Sequence, residues 1–105
     1  MSFHSFAVEV APEAQDDINS IAAYTVEQWG DQIAERYLTD LHESLERLSA
    51  FPNLGRPLTE NESDLRRLFS GQHVIYYQIR QARRYVTVLR ILHARMDPTG
   101  QLPEF

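Results

Sequence analysis

Apolar and polar positions along this chain follow two rhythms. Between Phe3 and Val10, the apolar residues Phe6, Val8 and Val10 share one parity, which predicts a short strand. From Pro12 onward the period lengthens. Ala14, Ile18, Ile21, Ala22 and Thr25 recur at three- and four-residue spacing, and Trp29 continues that helical face. Pro12 suits a first helical position, and Glu13, Asp16 and Asp17 put negative charge near the helix N-terminus. Gly30 is placed to end this helix and Asp31 to cap the next. In that second helix Ala34, Tyr37, Leu38, Leu41, Leu45 and Leu48 form the apolar stripe, with Glu35, Asp40, Glu43, Glu46 and Arg47 opposite. The two helices make an antiparallel hairpin in which Trp29 is expected to plug the space between them.

Two prolines and a glycine in the segment Phe51 to Pro57 end the helix and open a loop that runs through Glu60, Glu62 and Asp64. After it the period drops to two. Leu65–Phe69, His73–Arg80 and Tyr85–Ala94 read as strands, joined by the short turns Gly71-Gln72 and Gln81-Ala82-Arg83. The last strand is apolar on both parities, with Leu89 and Ile91 on one and Val86, Val88 and Leu92 on the other, so it is expected in the sheet interior. The expected fold is α+β in the order β-α-α-β-β-β, an antiparallel sheet with the N-terminal helical hairpin packed on one face, forming a single domain over residues 1–105.

Composition narrows the chemistry. The 105 residues include no cysteine, which excludes disulfides, thiolate metal sites and thiol nucleophiles. No apolar run approaches the roughly 20 residues of a membrane helix, and no signal-peptide pattern opens the chain, so a cytoplasmic location without membrane contact is expected. The net charge of −5 hides a division: residues 1–64 carry thirteen acids against three arginines, and residues 65–105 carry seven arginines against Asp97 and Glu104. Lysine is absent. Arginine presents a planar fork suited to carboxylates, so the second half predicts a basic surface for an acidic partner. His4, His42 and His73 are too dispersed for a metal site, and no glycine-rich phosphate loop is present, so neither metal nor cofactor is expected.

Five segments in this order resemble the ParE/RelE toxin superfamily, and its ParE branch in particular. They are Trp29-Gly30, Phe51-Pro52-Asn53-Leu54-Gly55-Arg56-Pro57, Leu65-Arg66-Arg67, Gly71-Gln72-His73-Val74-Ile75-Tyr76-Tyr77, and Arg90-Ile91-Leu92-His93-Ala94-Arg95-Met96-Asp97-Pro98. The resemblance covers nearly the whole chain and implies the toxin of a type II toxin–antitoxin pair, a class associated with plasmid stabilisation. It further implies inhibition of DNA gyrase by protein–protein binding, neutralisation by a ParD-like antitoxin with a ribbon-helix-helix domain, and contact with operator DNA only through that antitoxin. Two alternatives remain: a RelE-like ribosome-dependent mRNA endoribonuclease, and a non-toxic corepressor partner of the antitoxin.

The residues bear on these readings in different ways. For a nuclease, His93 would transfer the proton while Arg95 and Arg66 stabilise charge on the phosphate. The missing lysines depart from the RelE pattern. As a structural residue, His93 would instead hydrogen-bond neighbouring backbone. For a gyrase-directed surface, the candidates are Arg90, His93, Arg95, Met96, Asp97 and Leu102. Arg90 also reads as an ion-pair partner of Asp97 or of a helix acid. Antitoxin binding is assigned to Arg66, Arg67, Arg80, Arg83 and Arg84, with a helix laid along the hairpin and backbone pairing near the sheet. Of Tyr76 and Tyr77, on opposite strand faces, one is expected to pack and the other to meet the antitoxin.

Overall fold

A computed structural model describes residues 5–102, so Phe3 and His4 of the first expected strand lie outside the described residues. The elements are β1 (Ala7–Val10), α1 (Pro12–Trp29), α2 (Asp31–Ala50), a 3-10 turn (Pro52–Leu54), β2 (Arg56–Pro57), β3 (Leu65–Ser70), β4 (His73–Arg80) and β5 (Tyr85–His93). The five strands form one sheet in the order β1-β5-β4-β3-β2.

The sheet is antiparallel from β2 through β5, but β1 joins β5 in parallel, with Ala7 opposite Tyr85 and Val10 opposite Val88. That corrects the expectation of an antiparallel sheet. The reason is the hairpin: Phe6 N–H donates to the Ser49 carbonyl, so two antiparallel helices return the chain to the end where β1 began. Three consecutive antiparallel strands then leave β5 running in the direction of β1.

Pro12 starts α1 as expected. Gly30, at φ +87°, serves both helices: its N–H bonds the Val26 carbonyl and its carbonyl receives the Ala34 N–H. A residue with a side chain would be strained there. Asp31, expected as a cap, is the first residue of α2 and makes no side-chain cap bond. Its carboxylate instead sits at the positive end of the helix dipole.

The main core lies between hairpin and sheet. Ile21 of α1 and Leu41, Leu45 and Leu48 of α2 pack on Ile75, Tyr77 and Ile79 of β4 and on Val86, Val88 and Ile91 of β5. A smaller cluster on the opposite sheet face joins Val74, Tyr76 and Leu92, covered by Leu58 and Leu102. Both tyrosines are therefore buried, contrary to the expectation that one would be available to a partner.

Register explains a second correction. Tyr76 stands opposite Arg90 and Tyr77 opposite Val88, so Leu89 is an extra residue in β5. A bulge inverts the parity beyond it. Val86 and Val88 face the helices with Ile91, whereas Leu92 joins the opposite cluster. The turn before β5 also lengthens to include Arg84, at φ +56°, whose guanidinium lies 4.6 Å from the Phe6 ring centroid.

The loop after α2 is clasped to the sheet. The Tyr77 hydroxyl donates to the Pro52 carbonyl and accepts the Gly55 N–H, while Arg66 donates to the carbonyls of Asn53, Gly55 and Ser63. A Cβ at Gly55 would collide with the Arg67 carbonyl and the Tyr77 hydroxyl, so only glycine allows this approach.

Candidate interaction site

The hairpin is longer than the sheet beneath it. Asp17 of α1 is level with Ile91, whose N–H it binds, and Tyr37 of α2 is level with Ser70 and His73. From Asp17 to Trp29, α1 advances ~18 Å, whereas β5 continues only ~7 Å past Ile91. The tip therefore overhangs the sheet end, and Trp29 is 64% exposed there instead of plugging the hairpin. Tyr24, Val26 and Ile33 are exposed with it.

Under the overhang lies a groove of about 520 Å³. Ser20, Ile21, Tyr24, Thr25 and Trp29 form its α1 wall, and Ile33 and Tyr37 its α2 wall. The sheet end closes it with Gln72, His73 and His93. The Tyr37 hydroxyl accepts the Gln72 N–H at 3.0 Å and stands 2.5 Å from His73 Nδ1. The rings of His73 and His93 meet edge to face, with centroids 5.5 Å apart. Burial, reinforced by His93, pushes the His73 pKa below its ordinary value against the pull of Asp17. Exposed aromatics beside a concave apolar surface mark an interaction site. The sequence reading put Trp29 between the helices because it continues the α1 stripe, and passed over Tyr24 and Ile33, which lie off both stripes.

Arg90 holds the neighbouring edge together. Its Nε and Nη2 bond the two Asp17 oxygens at 2.8 and 2.9 Å, and its Nη1 reaches the Gln101 carbonyl and side chain. The helix acid is thus its ion-pair partner, and the hydrogen bond raises the Arg90 pKa further. Because β1 stops opposite Val88, the Asp17 carboxylate also takes the Ile91 N–H that no strand reaches.

The residues expected to contact a target do not share one surface. His93 lines the groove and Arg90 is committed to Asp17, while Leu102 packs on the opposite face. Arg95, Met96 and Asp97 are exposed in the turn beyond β5, where the Thr99 N–H bonds Asp97 and lowers its pKa. The strand ends at His93, which leaves Arg95 in the turn and off the sheet. Instead, the Arg95 N–H donates to His93 Nδ1 at 3.1 Å.

The nuclease candidates are dispersed too. Arg66 stands opposite Tyr77 and His93 opposite His73, a separation of ~13 Å along the strands. The arginines assigned to an antitoxin divide similarly. Arg67 is exposed on β3, Arg80 and Arg83 are exposed at the β4–β5 turn, and Arg66 and Arg84 have the partners described above. Arg67 also borders a smaller recess of about 370 Å³, formed with Leu54, Arg56 and Phe69.

A helical hairpin on a sheet of this topology is the fold of solved toxins of the ParE and RelE type. The solved chain from the chromosomal ParDE toxin–antitoxin system of P. aeruginosa aligns with a TM-score of 0.71 at 18% identity, covering 86% of this chain and 97% of that one. A mutant E. coli RelE toxin in the free state aligns with a TM-score of 0.63 at 14% identity, covering 93% of each chain. Sequence narrows the class to a family. The family model for the ParE toxin of type II toxin–antitoxin systems, parDE, matches residues 8–98. Toxin ParE1 of Mycobacterium tuberculosis strain CDC 1551 is 34% identical over 84% of this chain and 89% of its own length. The chain belongs to the ParE toxin family and is a toxin of a type II toxin–antitoxin system.

Proposed function

We propose that this toxin binds DNA gyrase and arrests replication, and that a ParD-like antitoxin neutralises it by laying a helix in the groove under the hairpin tip. The observation that carries the reading is the separation of His93 and Arg95 from Arg66, whose guanidinium is spent on three loop carbonyls. A nuclease needs its proton donor and phosphate-binding cations within reach of one phosphate. A protein-binding toxin needs only surfaces, and the exposed walls Tyr24, Trp29 and Ile33 supply one for an apolar helix face.

The exposed turn Arg95-Met96-Asp97 is the candidate gyrase contact, in the cytoplasm where gyrase works. Truncation after Asp97 should abolish toxicity, but it also removes the Leu102 cover of Tyr76. Arg95→Glu with Met96→Glu leaves that cover in place and is the cleaner test.

Pulse labelling of DNA and protein synthesis in the first minutes after induction from a tightly repressed promoter separates the readings. An early fall in DNA synthesis with translation continuing is expected. An early fall in translation would instead point to the ribosome, and normal growth would point to a corepressor role.

A further inference from the structure

His73 and His93 stand directly opposite each other on β4 and β5, and both rings line the sheet end of the groove. Their Nδ1 atoms are already engaged. A backbone N–H only donates, so the Arg95 N–H identifies His93 Nδ1 as the lone-pair nitrogen, and Nε2 of the neutral ring carries the proton. The Tyr37 hydroxyl accepts from Gln72 and keeps its own proton to donate. That hydroxyl lies 2.5 Å from His73 Nδ1 and 3.3 Å from the Ser70 carbonyl: donated to the imidazole, its proton leaves neutral His73 an Nε2–H donor, and protonated His73 presents the same Nε2–H while its Nδ1–H goes to the hydroxyl.

Two adjacent imidazole donors thus terminate a groove whose other walls are largely apolar. The charged and titratable groups around them are few. Asp17 on α1 is held by Arg90 and the Ile91 N–H, α1 also brings the Tyr24 phenol and α2 the Tyr37 phenol, the β3–β4 turn brings uncharged Gln72, and Arg95 follows β5. Among the described residues, none that lines the groove is a carboxylate. An occupant that fills the apolar length meets donors with nothing to accept from them, and histidine beside arginine favours an anion.

We infer that an aspartate or glutamate of the antitoxin helix is held by the His73–His93 pair, so that the two histidines select the partner and tie the strength of the complex to pH. The inference rests on the antitoxin-groove reading above. In the free toxin, burial and the neighbouring ring hold the His73 pKa below its ordinary value. A carboxylate placed against the pair favours the imidazolium of His73, whose added Nδ1–H donates to the Tyr37 hydroxyl while that hydroxyl donates to the Ser70 carbonyl, so the complex takes up a proton as pH falls and tightens. Each unit by which the carboxylate raises the His73 pKa contributes up to about tenfold in affinity.

Calorimetric titration of the purified toxin with its cognate antitoxin at about pH 8 and about pH 6 tests this. The dissociation constant of the wild type should fall about tenfold toward pH 6. That fall should vanish in the double variant His73→Gln with His93→Gln. His93→Gln alone, which leaves the Tyr37–His73 bond intact, should lose part of it, and thermal melting checks that each variant is folded. A pH-independent wild-type affinity, or the same tightening in the double variant, overturns the inference. Trp29→Ala separates the two levels of the argument. If it leaves binding unchanged, the groove reading fails and the histidine inference fails with it. If it weakens binding while the wild type is insensitive to pH, only the histidine inference falls.

Discussion

The two halves of the helical hairpin both carry large apolar side chains and meet different surroundings. Over the sheet, Ala14, Ile21, Leu41, Leu45 and Leu48 are buried against β4 and β5. At the tip, Tyr24, Val26, Trp29 and Ile33 carry comparable apolar bulk into solvent. The difference lies in what is underneath, because the helices outrun the strands. A hydrophobic stripe reports that a surface is to be covered. It does not report whether the same chain or a partner covers it.

Perturbing both halves sharpens this contrast. Leu41→Ala should cost about 3 kcal/mol of folding stability, since it opens a cavity in a core that cannot fully collapse, and urea unfolding measures it. Asp17→Ala removes the partner of a guanidinium and the acceptor for the Ile91 N–H at the boundary between the halves. With both side chains mostly buried, the loss should be about 2–3 kcal/mol in the same assay. Trp29→Ala should change stability by no more than about 0.5 kcal/mol. It should nevertheless weaken the antitoxin complex by about 2 kcal/mol, as tryptophans central to interfaces do. A large stability loss with unchanged binding would reverse the assignment of the tip.

Smaller effects follow from titration and from the far end of the sheet. His73 is held below its ordinary pKa in the folded toxin, so the unfolded chain binds the proton more readily. Free-toxin stability should therefore decline as pH falls below about 6.5 toward the depressed folded value, and His73→Gln should flatten that decline in melting temperature. The free toxin and the complex thus respond to acid with opposite signs. Charge reversal at exposed Arg80 and Arg83 should leave stability nearly unchanged, while stopped-flow mixing shows slower association with the antitoxin and a weaker salt dependence. An unchanged association rate would remove that end of the sheet from the encounter surface.

Much of the architecture is legible in the chain because it is encoded locally. The helical stripes, the alternation of β3 and β4, the proline start of α1 and the reversal at Gly30 each depend on neighbours a few residues apart. The five segments resembling ParE toxins add the family, including the Phe51-to-Pro57 loop whose Gly55 allows the backbone to approach Tyr77. Even within this local reading Asp31 was misplaced by one position, because Gly30 alone completes the reversal.

What tertiary structure decided depends on distances along the chain that periodicity does not span. The parallel pairing of β1 follows from where the hairpin returns the chain, and the inversion at Leu89 from the register of β5 on β4. The choice of Asp17 for Arg90 follows from an edge that β1 leaves unpaired. Local periodicity and the five ParE-like segments suffice for a ParE-type toxin of two helices and a sheet. That Trp29 faces solvent and that His73 and His93 close a groove beneath it were decided only by the overhang, since helix and strand advance different distances per residue and nothing local records where one outruns the other.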